Sequence, residues 1–140
     1  MNRTLMIVCS GLVVLTAAGL WAHHEWEEEK RWSTFSCVSS IAQTLSLHDA
    51  EHPRSVVGET GAWRIVDEQE SRSILKPIWE YCNCSGGRWW KSQPGADAWE
   101  RPFHIAVRLG QNQRLEYLVS SSGPDGVSGS SDDIHSPVPK

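Results

Sequence analysis

Basic residues are too few to make a nucleic-acid surface: thirteen Lys and Arg stand against seventeen Asp and Glu, for a net charge of −4. A nucleic-acid binder normally carries a basic face, so no nucleic-acid partner is expected. Apolar residues are also scarce where a core needs them. They make up 39% of 140 residues, yet fourteen of them fall within residues 5–22. That leaves about a third of the remaining chain apolar, thin for a self-sufficient core. The length allows one ordinary domain. What the chain has in unusual supply is tryptophan, eight residues against two Phe and two Tyr. Each indole can bury roughly 150–250 Å², so the core is expected to be built largely from tryptophan.

Catalytic signatures are missing as well. There is no Gly-x-Ser-x-Gly elbow, and Ser120, Ser121 and Ser122 lack a convincing base in the sequence, so nucleophilic catalysis has no support. His24-Glu25-Trp26-Glu27-Glu28 has the outline of a zinc-protease helix, but a glutamate stands where the second histidine is required. His48, Asp49 and His52 read as a solvated helix end, His104 falls on the polar side of a strand, and His135 lies near the carboxy terminus. The chain reads as non-enzymatic.

Met1-Asn2-Arg3 precedes the apolar run 5–22, a membrane-directed segment. A helix of that length rises about 27 Å, close to the roughly 30 Å of the hydrocarbon layer. It is read either as a signal peptide cut near Ala18 or Ala22, which makes the protein secreted, or as a retained anchor with Trp21 in the headgroup belt. Its length and the helix-favouring stretch beyond favour the anchor. Arg3 then faces the cytoplasm, and residues 23–136 form an extracytoplasmic domain, with 137–140 a tail. Four cysteines suit that compartment. Cys9 lies within the apolar run, leaving Cys37, Cys82 and Cys84. Two cysteines separated by one residue bridge only with strain, so Cys37 pairs with Cys82 or Cys84.

Neither Pro nor Gly interrupts Glu27 to Leu47, where Trp32, Phe35, Val38, Ile41, Ala42 and Leu45 recur at helical steps. With the preceding residues this predicts a long helix over about 23–50, continuous with the membrane segment and ending near His48-Asp49, before Pro53. Residues 53–61 are a loop, Trp63–Val66 a short strand, and Asp67 with Glu70 the start of a helix carrying Ile74, Leu75 and Ile78. Phe103, Ile105, Val107 and Leu109, then Leu115, Tyr117 and Val119, alternate with polar or smaller residues on either side of Gly110–Gln113. That is a hairpin over about 103–120. Trp89-Trp90, beside Gly86-Gly87, and Trp99 are candidate aromatic surfaces for a ligand or partner. Their use in recognition is the alternative functional reading, a binding module.

Beyond the hairpin, Gly123, Gly126 and Gly129 punctuate a stretch whose acids are Asp125, Asp132 and Asp133. A loop bringing Asp125 back against Asp132-Asp133 would converge three carboxylates, as calcium requires with its about six to eight oxygen ligands. The order does not follow the EF-hand pattern. Three pieces stand in order: Asp97-Ala-Trp99-Glu100-Arg-Pro102-Phe103, Ser121-Ser-Gly123-Pro-Asp125-Gly126, and Gly129-Ser-Ser-Asp132-Asp133-Ile134. Together they resemble the carboxy-terminal region of the major pseudopilin family of type II secretion. The resemblance implies an α+β fold, with a long amino-terminal helix packed on a small antiparallel sheet and a metal loop at 121–134. It implies calcium on the side chains of Asp125, Asp132 and Asp133 and the carbonyls of Ser122 and Val127. It also implies pseudopilins or other secretion components as partners, self-assembly, and an inner-membrane location with a periplasmic domain. The chain departs from that family at its amino terminus, which has no prepilin-peptidase site and no acid in the apolar run, and at Glu100, where the family has glycine.

Overall fold

The computed structural model describes residues 3–51, 61–82, 84 and 93–138; within the first helix, side chains are described from Val14 to Asp49. Residues 53–60 of the expected loop 53–61, Gly86-Gly87 and the Trp89-Trp90 pair lie outside these residues.

Helix α1 spans Arg3–Glu51 without a break, as the lack of Pro and internal loop signals requires. Strand β1 (Arg64–Ile65), helix α2 (Glu68–Leu75), strands β2 (His104–Leu109) and β3 (Leu115–Ser121), and strand β4 (Ile134–His135) follow. The strands form one antiparallel sheet in chain order, β1-β2-β3-β4. The long helix packs across β3 and β4, and α2 packs on β2. The fold is therefore α+β with a long amino-terminal helix on a small antiparallel sheet. Among the described residues no helix is long and apolar enough to cross a membrane; the side chains of 5–13, half of the apolar run, are not among them.

Local chemistry accounts for each element. The β2–β3 register pairs Ile105 with Val119 and Val107 with Tyr117. This puts both apolar rows on the face that meets the helix. Gln113 closes the turn with φ 58°, its amide donating to the Gly110 carbonyl at 3.0 Å. Asp67 caps α2, its side chain accepting from the Glu70 amide at 2.8 Å. Arg64 grips both oxygens of Glu70 at 2.8 and 2.7 Å, joining β1 to α2. Strand β4 was not anticipated; it pairs Ser121 with Ile134 only because the intervening loop turns back.

The core corrects the expectation of a tryptophan interior. Its buried residues are Val38, Ile41 and Leu45 of the helix, Val66, Ile74, Leu75 and Ile78, and Phe103, Ile105, Val107, Tyr117 and Val119 of the sheet region. Among the described residues no Trp is fully buried; Trp79 packs on the rim, against Phe103. Trp32 and Phe35, expected on the buried stripe, are 69% and 43% exposed. Polar contacts decide that end of the helix. Thr34 takes the buried position, accepting from the Ala98 amide at 3.3 Å. Lys30, only 9% exposed, lies 4.0 Å from the Trp26 ring centroid and 5.8 Å from that of Trp99.

The disulfide is Cys37–Cys84, which resolves the choice left open by spacing. Cys82 is buried and free. Its thiol meets Thr44, about two helical turns beyond Cys37, so only Cys84 reaches the partner. Burial pushes the Cys82 thiol up, against a smaller opposing pull from the Thr44 hydrogen bond. It is therefore a weak nucleophile at neutral pH.

Candidate functional site

The turn 97–102 and the loop 121–134 form one polar assembly at the end of the sheet. Asp97 is its hub, 3% exposed. One carboxylate oxygen accepts the amides of Trp99 and Arg101, both at 2.9 Å, and the other accepts the Ser121 hydroxyl. Ser121 in turn accepts the Gly123 amide at 3.1 Å. The Asp97 amide donates back to the Arg101 carbonyl at 2.8 Å, closing a tight turn with Glu100 at its tip. Glu100 has φ 63°, a left-handed conformation that favours glycine.

The loop then doubles back. Gly123 has φ 61°, and a Cβ there would overlap the Asp132 carbonyl oxygen. Asp132 accepts the Asp125 amide at 3.1 Å and the Ser130 hydroxyl. Asp125 accepts the Val127 amide at 2.7 Å. Asp133 accepts the Gly129 amide at 2.7 Å and the Ser130 hydroxyl at 3.3 Å. The Ser130 hydroxyl, then the Asp125 amide, hold the Asp132 carboxyl below the usual carboxylate range. The glycine-punctuated loop thus returns Asp132 to the Asp125 amide. Its carboxylates are occupied by N–H and O–H donors of the loop itself. Among the described residues no group of three or more His, Cys, Asp or Glu is gathered as a metal cluster. Ser122 is buried and Val127 exposed, on either side of the Gly123–Gly126 turn.

The remaining sequence candidates separate. Trp99 is half-buried, its indole N–H donating to Glu27 of the helix at 3.1 Å, so one edge of that ring is committed to the fold. Trp32 and Phe35, edge to face at 6.2 Å, line a groove with Asp133 and Ile134. Periodicity had assigned these two rings to the core. Tyr117 donates to the buried Asp49, tying the helix end to β3. His104 Nε2 lies 3.0 Å from the Ser122 hydroxyl. The pair is separated by eighteen residues and joined only through the hairpin register, which no local motif announces. Ser122 is 5% exposed.

The chain matches no protein-family pattern, curated protein or solved structure. The loop and its turn therefore stand on their own geometry.

Proposed function

We propose that the protein is a non-enzymatic, pseudopilin-like subunit of, or accessory to, a type II secretion or related pilus-like machine, with calcium bracing the loop 121–134. The observation that carries this reading is the two-part finish of α1. From Lys30 to Asp49 one face is buried under the sheet, whereas Val14, Leu15, Leu20 and Trp21 are each at least 66% exposed. A bare apolar half-helix on a folded head suits residence in a membrane or among other such helices. On this reading residues 5–22 anchor the chain in the inner membrane, the head is periplasmic, and its partners are other pseudopilins, secretion components or copies of itself.

The donor chemistry of the loop suits a hard cation. Asp125, Asp132 and Asp133 offer carboxylate oxygens, and Ser122 and Val127 offer carbonyls; no thiolate or imidazole belongs to the set. A bound ion would replace the amide and hydroxyl donors that now hold those carboxylates and would offset two of their three negative charges. Two experiments test the halves separately. A photo-cross-linker at Leu20 of the full chain, in cells, is expected to trap a second copy or a secretion component; monomer alone refutes the machine. Thermal melting of the full chain in detergent, with calcium against chelator, is expected to rise with calcium, by about 2.7 kcal/mol of stability at a hundredfold excess over Kd. An unchanged melt refutes the metal.

A further inference from the structure

We propose that Arg101 is the resident cation of the loop 121–134: its guanidinium folds the first half of the loop before any ion arrives. The calcium reading above supplies the ion, so that part of the inference rests on it; the folding by Arg101 does not.

The contacts form a closed ring. Asp97 accepts the Arg101 amide and the Ser121 hydroxyl, and Ser121 accepts the Gly123 amide. The Gly123 carbonyl accepts from Arg101 Nη1, and the next carbonyl, Pro124, accepts from Nη2 at 3.1 Å. The same residue is therefore fastened to the hub by its backbone and to the loop by its side chain. The guanidinium lies flat against Gly126. A Cβ at 126 would stand 2.6 Å from Arg101 Cζ and 2.8 Å from Nη1, so a glycine is needed there for the arginine to reach.

The charge of Arg101 is aimed at carbonyl oxygens. Its side chain forms no ion pair with a carboxylate among the described residues; both of its bonds go to successive main-chain oxygens. Collecting carbonyls is ordinarily the work of a metal ion in such loops. Here a planar fork with two parallel N–H donors does it at Gly123 and Pro124, which leaves the carbonyls of Ser122 and Val127 for calcium. Lysine, a point charge on a flexible stem, does not reproduce that two-point grip. A loop already closed pays less ordering entropy when the ion binds.

The test is hydrogen exchange by mass spectrometry on the full chain in detergent, following peptides over 121–134, with the hairpin 104–119 as internal reference. In chelator the native loop is expected to be protected, and Arg101→Ala and Arg101→Lys to exchange about tenfold faster there with the hairpin unchanged. Added calcium is expected to restore protection in both variants at about tenfold higher concentration than the native chain needs. Equal loop protection in native and Arg101→Ala protein in chelator overturns the proposal, as does full rescue by lysine. If the alanine variant loses hairpin protection as well, the lysine variant, which keeps the aliphatic stem, decides. A native chain that ignores calcium ends the metal reading alone; the contrast in chelator still judges Arg101.

Discussion

Replacing Asp97 separates its charge from its geometry. In Asp97→Ala the amides of Trp99 and Arg101 and the hydroxyl of Ser121 lose their acceptor. Each buried donor left unpaired costs about 1–3 kcal/mol. Trp99 and Arg101 are only half-buried and regain some water, so the sum is set at about 4 kcal/mol. In Asp97→Asn the amide oxygen still accepts both N–H groups. Its NH₂ then faces Ser121, whose oxygen can accept while its own proton turns away. That exchange costs about 1–2 kcal/mol. For a domain of this size the alanine variant should melt about 15–20 °C lower and the asparagine variant about 5 °C lower. Urea denaturation with unchanged slope, followed by tryptophan fluorescence, gives the free energies directly. Equal losses in the two variants, or losses below about 1 kcal/mol in both, would refute the hub.

Four further outcomes are expected. Breaking Cys37–Cys84, which closes a loop of sequence separation 47, should cost about 4 kcal/mol on the chain-entropy relation, read by denaturation of Cys37→Ser/Cys84→Ser. Glu100→Gly should stabilise by about 0.5–1 kcal/mol, because it relieves φ 63° in a side chain that favours negative φ; a loss of stability contradicts the left-handed turn. Trp32→Gln should change stability by no more than about 0.5 kcal/mol, since its ring is 69% exposed; a large loss would return Trp32 to the core. Asp132, held below the usual carboxylate range by Ser130 and the Asp125 amide, steadies the loop fully above the unfolded carboxyl value. That contribution fades as pH falls through the lower folded value. The Asp125 amide resonance should move with it, and constancy to acid would remove the contact.

Elements governed by strict periods or caps were legible from the chain. The hairpin followed from seven alternating apolar residues, and α2 from Asp67 with Glu70. The long helix followed from the lack of breakers. What was not legible depended on choices between near-equivalent neighbours. Cys82 and Cys84 differ by two residues, and only the path after α2, which sets Cys82 against Thr44, selects Cys84. Trp32 and Phe35 sit at helical spacing with Val38, yet the turn at 97–102 draws Thr34 and Lys30 inward and leaves the rings outside. Tryptophan abundance suggested an indole core, but an indole satisfies its N–H at a boundary, as Trp99 does on Glu27. The Asp97–Ser121–Arg101 assembly joins residues about twenty positions apart through polar groups, and neither hydropathy nor spacing marks such a pairing.

The strand order β1-β2-β3-β4, with the helix first in the chain, has a consequence for synthesis. The buried face of α1 is made at the start, but the strands that shelter it, β3 and β4, come last. Ser136 completes that cover: its amide donates to the Val119 carbonyl at 2.8 Å and its hydroxyl accepts the Val119 amide at 3.0 Å. Val38, Ile41 and Leu45 therefore wait, uncovered, for nearly the whole chain to emerge. A nascent chain held before residue 134 would display an apolar helix at both halves, one that stays bare in the folded chain and one that awaits a sheet not yet built.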